Sequence, residues 1–175
     1  MKLLIASDIH GAAGYCRDLL AAWDREGADR LLLLGDLLYH GPRNDLPRDY
    51  APKQVIAQLN PLADKILAVR GNCDCEVDQM VLTFPILADY SVFPAADRLV
   101  YATHGHVFNE RNLPPLGAGT VLAHGHTHVP ELRRLPCGLT LFNPGSVSLP
   151  RGGAARSFGF FDGTELKHYA LGKPS

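Results

Sequence analysis

The chain has 175 residues, with 17 Lys plus Arg against 18 Asp plus Glu, and 46% of it is apolar. Such a length and mix suit one folded domain that buries a core without disulfide staples, and they exclude a disordered or collagenous chain. A net charge of −1 argues against a general polyanion binder, and no apolar run approaches the ~20 residues of a membrane span. The expectation is a single domain over residues 1–175, cytoplasmic, with no membrane and no stable nucleic-acid partner. Four cysteines without a Cys-x-x-Cys pair suggest neither a disulfide framework nor a thiolate zinc site.

Lys2–Ser7 is an apolar run that reads as a buried strand and ends on Asp8-Ile9-His10. Apolar residues then recur at helical spacing from Tyr15 to Trp23, and Gly27 closes that helix. Arg30–Leu34 is a second strand, ending on Gly35-Asp36. The loop His40-Gly41-Pro42-Arg43-Asn44 follows, and then a helix over Pro52–Leu62 with Val55, Ile56 and Leu59 on one face. A third strand, Lys65–Val69, leads through Arg70-Gly71 to Asn72-Cys73-Asp74. Strands alternating with helices predict βαβ units and a partly parallel sheet. The second half is β-rich, with strand-like runs at Leu99–Thr103, Val121–Ala123, Leu139–Phe142, Ser157–Phe161 and Leu166–Leu171. Two of these run directly into histidines, His104-Gly105-His106 and His124-Gly125-His126-Thr127-His128.

Five strands therefore end in residues able to bind a metal. In open α/β sheets, sites form outside the carboxyl ends of the strands, so these groups can converge. Asp8-x-His10 and His126-x-His128 are spaced by two, which on an extended segment puts both side chains on one side. Glycines at 35, 71, 105 and 125 permit tight turns and close backbone approach. Carboxylates, imidazoles and an amide oxygen suit divalent Mn, Fe, Zn or Ni. Singly, each motif has a plain alternative in a turn or an exposed histidine loop. Their joint occurrence, each after a strand, points to a metal site.

The ordered set Asp8-x-His10, Gly35-Asp36, Gly71-Asn72-Cys73-Asp74, His104 and Gly125-His126-x-His128 resembles the calcineurin-like metallophosphoesterases over nearly the whole chain. The segments His40–Asn44, Val69–Asp74 and Phe142–Ser146 are similar in particular to those of the YfcE-like bacterial phosphodiesterases. The resemblance implies an α/β fold, a four-layer αββα sandwich with two mixed β-sheets, carrying a dinuclear centre for which Mn²⁺ is the activating ion. It places Asp8, His10, Asp36 and His128 on one ion, and Asp36, Asn72, His104 and His126 on the other, with Asp36 shared. The activity implied is hydrolysis of a small phosphodiester by in-line attack of a hydroxide bound at the two metals.

Many family members carry His after the Gly-Asn pair, where this chain has Cys73, so an imidazole proton donor is missing there. His106, two residues from an implied ligand, is either that donor or a neighbouring histidine. Arg43, with His40 in the loop after Asp36, is a phosphate contact or a surface arginine. The competing functions are a metal-binding scaffold without hydrolase activity, as the retromer scaffold subunit is, and a phosphomonoesterase or protein phosphatase. Seven residues of ligating type set the enzyme ahead of the scaffold, and a short chain offers no extra segment for a protein substrate. A symmetric homo-oligomer is the prior for small enzymes of this kind.

Overall fold

Leu3–Ala6 (β1) is buried along its whole length and lies at the centre of the first sheet, which is why it contains no polar residue. The structure, a computed structural model, describes residues 1–172. β1 pairs in parallel with Arg30–Leu33 (β2), and β2 with Ile66–Ala68 (β3). The crossovers are helices Ala13–Glu26 (α1) and Pro52–Leu59 (α2), the second running on into a 3₁₀ turn at Asn60–Lys65. α1 stops where Gly27 adopts φ 61, the left-handed cap conformation that a side chain disfavours.

After the short helix Glu76–Val81 (α3), the chain builds a second sheet. Its strands are Tyr90–Ala95 (β4), Arg98–Thr103 (β5), Val121–Ala123 (β6), Glu131–Arg134 (β7) and Thr140–Asn143 (β8), in the order β4-β5-β6-β8-β7. Ser157–Phe161 (β9) and Leu166–Ala170 (β10) then return to the first sheet, in the order β10-β9-β1-β2-β3. Each sheet is mixed: β1, β2 and β3 run parallel, as do β5, β6 and β8, and antiparallel strands complete both.

Leu19, Trp23, Val55 and Leu59 of the helices cover one face of the first sheet, meeting Leu4, Leu31, Leu33 and Phe158. Its other face meets the second sheet through Leu3, Ile5, Leu34, Val100, Val121 and Phe142. The two mixed sheets of the implied four-layer αββα sandwich are observed, with helices as the outer layer on the first sheet. Over the outer face of the second sheet the cover is loop: Phe108 and Leu116 pack on Tyr101, Leu122 and Leu141. Among the described residues, no helix is long and apolar enough to cross a membrane.

Candidate metal centre

The parallel strands deliver the residues beyond β1, β2 and β3 to one rim, and those beyond β5 and β6 to the facing rim. There the side chains meet. His128 Nε2 lies 3.1 Å from Asp8 Oδ1. His10 Nε2 lies 3.6 Å from Asp8 Oδ1 and 3.7 Å from Asp36 Oδ2. His104 Nε2 lies 3.4 Å from Asp36 Oδ2 and 3.1 Å from Asn72 Oδ1. The His126 ring stands 5.1 Å from that of His104, and its backbone N–H donates to Asp8 Oδ2 over 3.1 Å. All seven residues singled out as ligands fall in this one cluster.

The local backbone corrects one expectation. Asp8-x-His10 and His126-x-His128 are not extended; all four end residues are left-handed, at φ 59, 49, 67 and 62. Asp36 joins them at φ 57, so five of the seven non-glycine residues with positive φ among the described residues belong to this cluster. Each such residue costs on the order of 1–3 kcal/mol, so the surroundings must hold it. The Asp8 carbonyl accepts from Ser146 Oγ at 3.0 Å and Ser148 Oγ at 2.8 Å. His10 N donates to Asp36 O at 2.9 Å, and Asn143 Nδ2 donates to Gly125 O at 2.8 Å and to Thr127 Oγ1 at 3.0 Å. His168, outside the cluster, braces Asn143 by donating from Nε2 to its carbonyl over 2.6 Å.

The imidazoles are aimed by backbone carbonyls. His10 Nδ1 donates to Tyr39 O (2.8 Å), His104 Nδ1 to Leu34 O (2.6 Å) and His128 Nδ1 to Leu149 O (2.6 Å). A carbonyl only accepts, so Nδ1 carries a proton, and the ring, when neutral, presents the Nε2 lone pair inward. The Nε2 atoms of His10 and His128 consequently face each other across 3.4 Å, beside Asp8 Oδ1, which is buried without a hydrogen-bond partner. Converging lone pairs in a buried space are costly unless a cation sits among them. The residues therefore fit a divalent metal. Ligand atoms of Asp8, His10 and His128 lie within 4.8 Å of one another, as do those of Asp8, Asp36 and His104. His10, Asp36 and Cys73 form a third such group. Burial and the Asp36 carboxylate push the Cys73 thiol up to about 12, so without a metal it keeps its proton.

Burial alone would lower the imidazole pKa values, but the carboxylates of Asp36 and Asp8 outweigh it, raising His10 and pushing His104 up to about 9. Burial opposes ionisation of Asp8 and Asp36 as well, and the neighbouring histidines overcome it, holding both carboxyls below their usual value. His126, desolvated and beside His104, is pushed down to about 4. His104 contributes most below its ordinary 6.5, and that contribution is lost as pH rises through about 9. Asp8 and Asp36 act in the opposite direction, and only as pH falls below 3.8. Thermal unfolding of chelator-treated protein should therefore fall between pH 6.5 and 9. Added Mn²⁺ should flatten that slope and release protons on binding. A melting temperature of chelated protein that is level across this window would contradict the assignment.

Close backbone approach is required at Gly125, where a Cβ would overlap Ser7 Oγ and come within 2.7 Å of Ser7 Cβ and 2.9 Å of Asp8 Oδ2. Gly125→Ala should thus push the His126 loop off the β1 loop. We expect Mn²⁺ affinity, read by calorimetry, to fall about 10–100-fold, the range typical of lost support around a metal site.

Beside the centre opens a cleft of about 240 Å³, lined by Arg43, Asn44, Asn72, Cys73, His126 and Arg151 among others. His40 is not among its lining residues. Its ring packs edge-on between Tyr39 and Tyr50, with centroids at 4.8 and 5.3 Å, while its carbonyl accepts from Asn44 Nδ2 over 2.7 Å. His106 lies 5.4 Å from the His104 ring and 6.2 Å from that of His126; burial and the His104 charge lower its pKa. Three participants have no role in the sequence reading: Asp74, which appears there only as part of its motif, Ser148 and Arg151. Asp74 is 7% exposed and accepts from the backbone N–H groups of Asp36, Leu37 and Gly71, each at 2.8 Å.

Residues 1–165 match the calcineurin-like phosphoesterase superfamily domain. The chain is 47% identical to the phosphodiesterase YfcE of Escherichia coli strain K12 over 175 residues, covering all of this chain and 95% of that protein. The solved structure of the E. coli phosphoesterase YfcE superposes with a TM-score of 0.96, covering 98% of this chain and 94% of that one. The probable metallophosphoesterase YsnB of Bacillus subtilis strain 168 is 26% identical over 159 residues, 86% of this chain and 78% of that protein.

Proposed function

This chain belongs to the calcineurin-like phosphoesterase superfamily, and from that premise we propose that it is a metal-dependent phosphodiesterase acting on a small phosphodiester. The observation that carries the reading is the set of inward Nε2 lone pairs on His10, His104 and His128 around the Asp8 and Asp36 carboxylates. In this reading Asp8, His10, Asp36 and His128 hold one ion, and Asp36, Asn72, His104 and His126 the other, Mn²⁺ being the ion assigned. Two divalent cations bound there would supply Lewis acidity toward the phosphoryl oxygens and make hydroxide available near neutral pH.

The reaction is an in-line displacement: a hydroxide oxygen forms the new bond to phosphorus as the bond to the leaving oxygen breaks, with no covalent phospho-enzyme. Arg43, exposed at the cleft wall, binds a non-bridging oxygen through its planar fork, and His40 positions that loop through Asn44. Proton help for the leaving oxygen is weak. Cys73 stands where an imidazole donor would, and burial lowers the pKa of His106, so neither offers a ready proton. A leaving group that needs no proton is favoured. Chelated protein restored with Mn²⁺ should hydrolyse an aryl phosphodiester faster than an alkyl phosphomonoester by about 10²-fold or more, the scale of missing general-acid assistance. Turnover that ignores Mn²⁺, or equal rates on the two substrates, would overturn the proposal.

A further inference from the structure

Arg151 takes no part in the reading above, yet both its backbone and its side chain are anchored at the cleft. Its backbone N–H donates to His128 O over 3.1 Å, two residues beyond Leu149, whose carbonyl accepts from His128 Nδ1 over 2.6 Å. Its guanidinium Nη2 donates to Asn44 Oδ1 over 2.8 Å, and Asn44 is itself tied by Nδ2 to His40 O. One arginine thus bridges the loop after β8 and the loop after β2. Its head group, exposed, lines the same cleft as Arg43, Asn72, Cys73 and Asp36. Arg25, Arg70 and Arg133 each have a carboxylate within 2.9 Å. Among the described residues, neither Arg43 nor Arg151 has a carboxylate partner.

A second cleft, of about 380 Å³, meets the first only at His126. It carries Arg111 but also the carboxylates of Glu110 and Glu131. A diester has two substituents, and His126 of the cluster lines two clefts of different electrostatic character. The first presents two guanidinium groups without acids of their own; the second holds one, Arg111, and the carboxylates of Glu110 and Glu131 there are paired with Arg133.

We propose that Arg151, in the cleft that Arg43 also lines, forms an anion subsite, so that preferred substrates are phosphodiesters whose one substituent carries a second anionic group, a phosphate or a carboxylate. The proposal rests on the phosphodiesterase reading and names the substrate class of that same site. Arg151 acts as a specificity-determining residue: its fork binds the remote anion and leaves bond making and breaking to the centre.

The test compares two diesters with the same nitrophenyl leaving group, one with a methyl and one with a 2-carboxyethyl substituent, on Mn²⁺-loaded protein. Wild type should show kcat/KM about tenfold higher for the carboxylated diester, mostly through KM, as expected for one added charge-assisted contact. Arg151→Met should bring the ratio close to one, and Arg151→Lys should restore part of it; a merely structural bridge would lower both substrates together. Calorimetry with the matching non-cleavable phosphonates, in which CH₂ replaces the scissile oxygen, reads the same preference without turnover. A wild-type ratio near one, or a ratio unchanged in Arg151→Met, overturns the subsite. If no diester is hydrolysed but the phosphonate preference is present and lost in Arg151→Met, the subsite stands and the phosphodiesterase reading falls.

Discussion

Asp36→Asn should reduce kcat/KM on an aryl diester on the order of 10³-fold or more while leaving the chain folded, a loss at the upper end of those seen when one electrostatic element of an active site is removed. Asp36 is 2% exposed and serves both halves of the cluster: its Oδ2 faces His10 Nε2 at 3.7 Å and His104 Nε2 at 3.4 Å. Its Oδ1 accepts from the Cys73 backbone N–H over 2.8 Å. An asparagine can keep that last bond with its carbonyl oxygen, so the fold survives. The amide then turns an NH₂ toward the imidazoles, replacing a shared anionic ligand by a donor where a cation belongs. Metal content after dialysis should drop, and the pH slope of chelated protein between 6.5 and 9 should shrink, because His104 loses the carboxylate that raises it. Wild-type turnover in Asp36→Asn would remove Asp36 from the centre.

Asp8, Asp36, Asn72, His104 and His126 were legible because each follows an apolar run, and a run buried on both faces has to stop where a polar residue can reach the sheet edge. The backbone between the ligands was not legible. The left-handed φ of Asp8 is stabilised by Ser146 and Ser148, which stand 138 and 140 positions further along, and no local pattern encodes such partners. Arg151 was missed for the same reason: its meaning lies in Asn44, 107 residues away. In the fold, β4 and β7 escaped the alternation test because both are edges. β7 reads Glu-Leu-Arg-Arg and owes its strand conformation to a four-residue register with β8, from Glu131↔Asn143 to Arg134↔Thr140. Its charges suit an edge that should not recruit another strand.

Asp74→Ala should be the most destabilising single change near the site, by about 3–5 kcal/mol, the range for leaving buried hydrogen-bonding groups unpaired. Asp74 receives three backbone N–H groups: Asp36 and Gly71 on Oδ2 and Leu37 on Oδ1. It therefore welds the loop after β2 to the loop after β3, the two loops that supply Asp36 and Asn72. Alanine leaves all three donors without a partner in a space too enclosed for free access of water. Asp74→Asn separates the two consequences. Its single carbonyl oxygen can keep the bonds to Asp36 N and Gly71 N, while its NH₂ opposes the Leu37 N–H, so its cost should be smaller, about 1–3 kcal/mol. Because the ligand-bearing loops move with their donors, Mn²⁺ affinity should fall in both variants, by about 10–100-fold in Asp74→Asn and more in Asp74→Ala. Urea unfolding of chelated protein measures the first effect and calorimetric Mn²⁺ titration the second. If Asp74→Ala were as stable as wild type, those three N–H groups would have other partners, and Asp74 would not be what holds Asp36 and Asn72 in one site.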